Sequence, residues 1–90
     1  MTWTVKIASR AGHYYMRLDK DLRIRIKKEL AELAEFNNPP EHQQVKHLTG
    51  EFKGFYRLRI GDYRLIFTLL PDIHTIAVVN ISPRGDVYKK

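Results

Sequence analysis

The chain has 90 residues, with 16 Lys and Arg against 10 Asp and Glu, a formal net charge of +6. Its length predicts one domain over residues 1–90, because domains seldom divide below about 100 residues. It has no cysteine, which excludes disulfides, thiolate metal sites and a thiol nucleophile and suits a reducing, cytoplasmic compartment.

Residues 2–8 alternate with period two, and Trp3, Val5 and Ile7 share one face, the pattern of an edge strand. Ser9 is placed to cap a short helix over 10–17 that brings Tyr15 and Leu18 inward. Asp19 is placed to cap a longer one. Leu22, Ile26, Leu30 and Leu33 then form one apolar stripe at helical period. Asn37-Asn38-Pro39-Pro40 stops that helix, since proline cannot continue it and restricts the residue before. Residues 41–54 are polar and mixed, with Val45 and Leu48 as anchors. Period two returns in two strands over 55–60 and 63–70, separated by Gly61-Asp62, a hairpin signal. Pro71-Asp72 begins another turn, and a last strand runs over 75–81. The order β-α-α-β-β-β predicts an α+β fold, with the two helices on one face of a small antiparallel sheet.

The hairpin is the most informative stretch. With Gly61-Asp62 as its loop, Ile60 faces Tyr63, Arg59 faces Arg64, Leu58 faces Leu65, Arg57 faces Ile66 and Tyr56 faces Phe67. Alternation then puts Tyr56, Leu58, Ile60, Tyr63, Leu65 and Phe67 on the core face. The other face gathers Phe55, Arg57, Arg59, Arg64, Ile66 and Thr68. Two arginines directly opposite each other destabilise a sheet, whereas a bound anion removes the repulsion. Arginine also matches phosphate with a planar fork of donors, and Phe55 offers a stacking surface for bases. The competing reading is a solvated face whose arginines pair with carboxylates, Asp62 and Glu51 being the acids close in sequence.

The tail adds Arg84, Tyr88, Lys89 and Lys90. A cationic neighbourhood would favour the ionised phenol of Tyr88; alternatively Tyr88 caps the core and the lysines are a frayed end. His13, His42, His47 and His74 show no ligand spacing with acids or with one another. Ser9 and Ser82 lack a nucleophile-elbow context, and Gly50 and Gly54 form no phosphate loop. No apolar run approaches the roughly 20 residues of a membrane helix, so the positive balance points to an anionic macromolecule, nucleic acid or acidic protein.

The run from Gly54 to Phe67, GFYRLRIGDYRLIF, resembles the central hairpin of the RelE/ParE superfamily of bacterial and archaeal toxins. Arg84-Gly85-Asp86-Val87-Tyr88 resembles its C-terminal Arg…Tyr motif, and the helix break at Leu18-Asp19, the stop at Asn38-Pro39 and Val45–Gly50 follow in the family's order. The resemblance implies a toxin of a type II toxin–antitoxin system. Its RelE branch enters the 30S A site of the ribosome and cuts mRNA, the 2′-hydroxyl attacking the adjacent phosphate without a metal or other cofactor. Its ParE branch inhibits DNA gyrase instead. The implied catalytic residues are Arg57, Arg59, Arg64, Arg84 and Tyr88, with Lys53, Phe55, Lys89 and Lys90 binding RNA. The implied partners are a RelB-like cognate antitoxin, the mRNA and 16S rRNA phosphates. RelE enzymes often carry lysines at the positions of Arg57 and Arg59, and many relatives have a histidine where this chain has Pro83. An arginine stabilises charge but is a poor general base, so Tyr88 is the first choice of base and a terminal lysine the second.

Overall fold

The computed structural model describes residues 2–83. In chain order it contains β1 (Thr4–Ile7), α1 (Ser9–Met16), α2 (Lys20–Ala34), β2 (Val45–His47), β3 (Tyr56–Ile60), β4 (Tyr63–Leu70) and β5 (Thr75–Pro83). Short 3₁₀ turns stand at Pro39–Glu41, Gly50–Phe52 and Pro71–Ile73. The five strands form one sheet in the order β1-β5-β4-β3-β2.

The α+β class and the order of helices and hairpin agree with the sequence pattern, but the sheet is mixed. β1 pairs with β5 in parallel, Thr4 to Thr75 through Ile7 to Val78. The helices, β2 and the hairpin all lie between these two strands, a connection long enough to bring β1 alongside β5 in the same direction. β2 is an additional strand, within the polar and mixed stretch over 41–54. Only Val45 of its three residues is buried, so it has too few residues to display an alternation.

Asp19 caps α2 as its position predicts, accepting from the Leu22 N–H at 2.9 Å. Ser9 does not cap α1: it is the first helical residue, and Ala8 occupies the cap position without a side-chain bond. The reason lies in the sheet. Ala8 donates its N–H to the Val78 carbonyl at 2.8 Å, so the backbone leaves β1 one residue earlier than the serine requires.

The core lies between the helices and one sheet face. Ile26, Leu30 and Leu33 from α2 and Ala11 from α1 pack with Leu58, Ile60, Leu65, Phe67, Ile76, Val78 and Ile81. Tyr15 and Leu18 pack at its margin, and the Tyr15 hydroxyl donates to the Arg23 carbonyl at 3.1 Å, joining the two helices. Trp3 is buried, stacks on His74 with ring centroids 4.1 Å apart and donates to the Asn37 carbonyl. That residue thus ties the N-terminus to both the end of α2 and the β4–β5 turn.

β5 breaks period two. Ile66 pairs with Asn80 while Phe67 pairs with Val78, leaving Val79 as an extra residue. This bulge lets Val78 and Ile81, three apart, both face the core. Pro83 ends the strand opposite Tyr63.

Burial, and then the facing Tyr63 hydroxyl, raise the Tyr14 phenol above its ordinary 10.0. Since the folded state favours the neutral phenol, this contribution is complete below pH 10 and is lost as pH rises through the raised value. Tyr14→Phe should therefore flatten the alkaline decline of stability, measured by urea melts at stepped pH. Phe67→Ala, at a fully buried position, should cost about 3–5 kcal/mol in the same melts.

Candidate nucleic-acid interface

The site begins at a turn. Gly61 takes φ +58°, and Asp62 is not among the described positive-φ residues. Positive φ at the first loop position alone is the pattern of a II′ turn, whose twist matches the flanking strands. A Cβ on Gly61 would also meet the Arg25 guanidinium at 2.8 Å. The loop therefore needs glycine for its conformation, while the exposed end of the Arg25 side chain can yield to an added Cβ.

The turn sets the register. Ile60 pairs with Tyr63, Arg59 with Arg64, Leu58 with Leu65, Arg57 with Ile66 and Tyr56 with Phe67, as the sequence predicts. Leu58, Leu65 and Phe67 have no exposed surface. Their burial on the helix side commits Arg57, Arg59 and Arg64 to the opposite side of the sheet.

Two cross-strand rows result. One runs Lys46, Arg57, Ile66, Asn80, and the next runs Arg59, Arg64, Ser82. Arg59 is exposed, and Arg57 and Arg64 are half-buried. Arg59 and Arg64 line a shallow pocket of ≈150 Å³ with Gly61, Asp62 and Tyr63. Such a row of guanidinium donors can grip a phosphodiester by charge and by paired hydrogen bonds. Two polar atoms on these rows, Arg57 Nε and Ser82 Oγ, are buried without a hydrogen-bond partner among the described residues. An unmade bond of that kind costs about 1–3 kcal/mol, and both fall on the cationic face.

Lys46 was not singled out by the sequence. It lies opposite Arg57 and is exposed. Val45 opposite Leu58 is the signal: once β2 is known to pair there, alternation puts Lys46 with the arginines. Phe55 is half-buried just ahead of β3 and Lys53 is exposed in the loop before it. The Thr68 hydroxyl donates to the Gly54 carbonyl at 2.7 Å, binding that loop to β4. Arg84, Tyr88, Lys89 and Lys90 lie outside the described residues.

A second group escapes any linear reading of spacing. Glu29 and Glu32 of α2 and the buried His42 come within 4.8 Å of one another through their ligand atoms. The sequence showed no partner for His42, because the helix and the loop after it meet only in the fold.

The chain belongs to the RelE/ParE superfamily: residues 5–88 match the family of ParE toxins of type II toxin–antitoxin systems. The chain is similar in structure to archaeal RelE in the RelE–RelB complex from Pyrococcus horikoshii OT3. That relative is 30% identical, with 97% of this chain and 100% of that one covered and a TM-score of 0.76. It also shares its fold with the RelBE2 toxin–antitoxin complex of Mycobacterium tuberculosis, at 21% identity, TM-score 0.80, and coverage of 96% and 95%. A mutant of E. coli RelE in the free state is similar at 23% identity, TM-score 0.74, and coverage of 94% and 86%. No curated protein sequence matches the chain significantly. The protein is a toxin of a type II toxin–antitoxin system. Among the described residues, no helix is long and apolar enough to cross a membrane.

Gly61→Ala should strain the turn and displace Arg25. The expected outcome is a loss of stability exceeding the about 1 kcal/mol that a Gly-to-Ala exchange changes at an unstrained site, read by denaturant melts. Amide shifts of Arg59 and Arg64 should move with it in NMR spectra.

Proposed function

We propose that this toxin is a RelE-type, ribosome-dependent mRNA endoribonuclease, with the message bound across the face of Lys46, Arg57, Arg59 and Arg64. The observation that carries the reading is the register of Arg59 opposite Arg64 beside Arg57, on the sheet face away from the helices. A polyanion is the ligand that turns this repulsion into affinity.

The reaction is an in-line transesterification. The 2′-hydroxyl oxygen attacks the adjacent phosphorus, the bond to the 5′-oxygen breaks, and a 2′,3′-cyclic phosphate and a 5′-hydroxyl result. Negative charge grows on the non-bridging oxygens, where Arg57, Arg59 and Arg64 stabilise it by fixed charge. Guanidinium groups do not accept protons at physiological pH. The 2′-hydroxyl proton therefore goes to the Tyr88 phenolate, and Arg84 stabilises the leaving 5′-oxyanion by charge while a solvent water protonates it to the 5′-hydroxyl. Positioning and electrostatics supply most of the acceleration. Lys53, Phe55, Lys89 and Lys90 hold the flanking nucleotides and 16S rRNA phosphates.

The cognate partner is a RelB-like antitoxin whose acidic, amphipathic segment covers the arginine face or a sheet edge. The toxin acts in the cytoplasm, where ribosomes and message are found.

A second reading has its own support in the match to the ParE family. In it the same face binds without cleaving, and DNA gyrase is the target. Primer extension on translating ribosomes, run beside a gyrase supercoiling assay, separates the two. Message cleavage with unimpaired supercoiling supports the nuclease; inhibited supercoiling with intact message overturns it. Arg64→Ala should lower cleavage on the order of 10²–10³-fold, the usual effect of removing one fixed donor from a developing anion. Lys46→Ala should spare the chemical step but weaken RNA binding. Its plot of log affinity against log salt should be shallower by roughly 0.7, one phosphate contact to a single strand.

A further inference from the structure

A pocket of ≈570 Å³ opens between α2, the loop after it and the end of β3, lined in part by Arg25, Glu29, Glu32, His42, Arg59 and Gly61. Glu29 and Glu32 are one helical turn apart and project on the same side of α2. His42 follows the 3₁₀ turn at Pro39–Glu41 and is only 7% exposed. One carboxylate oxygen from each glutamate and one imidazole nitrogen all lie within 4.8 Å of each other.

We propose that Glu29, Glu32 and His42 form a binding site for a divalent transition-metal ion, with Zn²⁺ the best match. One imidazole nitrogen and two carboxylate oxygens are ligands this ion takes, with a water completing four-coordination. Bonds of about 2.0–2.2 Å place two ligand atoms on one ion at most about 4.4 Å apart. Closing from 4.8 Å is a small movement, and Glu32, being exposed, is free to make it. The buried imidazole supplies the fixed ligand.

A hydrogen bond already holds the lone pair of one ring nitrogen, so a metal taken by the other must displace it. The Gln44 N–H donates to His42 Nδ1 at 3.0 Å, so in the metal-free protein the ring proton sits on Nε2. Coordination through Nε2 moves that proton to Nδ1 and displaces the Gln44 N–H. The next carbonyl, of Gln44, accepts the Arg59 N–H at 3.1 Å. Metal binding is thereby linked through a single residue to the backbone of an arginine on the opposite face.

Charge limits the affinity. Arg25 lines the same pocket and opposes a cation, offsetting part of the charge of the two carboxylates. Arg25 is drawn toward the hairpin, its guanidinium nitrogen 2.8 Å from where a Gly61 Cβ would stand. The site should prefer an ion with a strong bond to nitrogen over Mg²⁺ or Ca²⁺, which need more oxygens.

The test is isothermal titration of the full-length toxin with ZnCl₂, then MgCl₂, in chelator-stripped buffer. Wild type should bind one Zn²⁺ per chain at this site and should not take Mg²⁺ there. His42→Ala and the double variant Glu29→Gln/Glu32→Gln should each weaken that binding at least about tenfold, whereas His47→Ala should not. The double variant alters no core residue, so it decides the matter even where His42→Ala unfolds. Nitrogen-15 NMR of the His42 ring should show its proton on Nε2 before zinc and on Nδ1 after. Absence of zinc binding overturns the proposal, as does binding unchanged in the glutamate variant or abolished by His47→Ala.

Discussion

The registration of β3 on β4 governs the rest of the molecule. Side chains alternate across a strand, so a slip by one residue would exchange the two faces completely. Leu58, Leu65 and Phe67 would go to water, and Arg57, Arg59 and Arg64 would enter the core against α2. Burying unpaired guanidinium groups is far more costly than exposing leucines. The apolar residues under the helices therefore do two things at once: they make the core, and they hold three cations together on the other side. Gly61 completes the constraint, since its positive φ fits the two-residue loop.

The features that oppose stability fall on the cationic side. Arg59 stands opposite Arg64, and Lys46 opposite Arg57. Arg57 Nε and Ser82 Oγ are buried without partners among the described residues. The helix side of the sheet, by contrast, carries the well-packed residues Leu58, Leu65, Phe67, Ile76 and Val78, none of them exposed. Like charges facing each other across one face, with good packing on the other, are expected where a surface is shaped to meet a ligand.

What the sequence made legible was local. The hairpin register depends on a two-residue loop and period two, both visible within fourteen residues from Gly54 to Phe67. Asp19 and the stripe from Leu22 to Leu33 are likewise read within one helix. Features set by distant parts of the chain were not legible. β1 runs parallel to β5 because the intervening chain crosses over, and this same pairing takes the Ala8 N–H and denies Ser9 its cap. β2 shows one buried residue, so Lys46 could be assigned a face only after its pairing with β3 was known. The extra residue at Val79 disguises the alternation of β5. His42 meets Glu29 and Glu32 only because Pro39 and Pro40 turn the chain back along α2.

The net charge of +6 acquires a more specific meaning from this placement. On α2 the cations Arg25 and Lys28 are interleaved with Glu29 and Glu32, so much of the helical charge is offset nearby. Across the sheet, the hairpin presents arginines in a row. A row of arginines suffices to bind an anionic or acidic surface, and that is all a binding toxin needs. Cleavage asks for more, because a guanidinium can stabilise a developing phosphorane but cannot take the 2′-hydroxyl proton. Proton transfer in such a reaction must therefore come from a group other than the hairpin arginines.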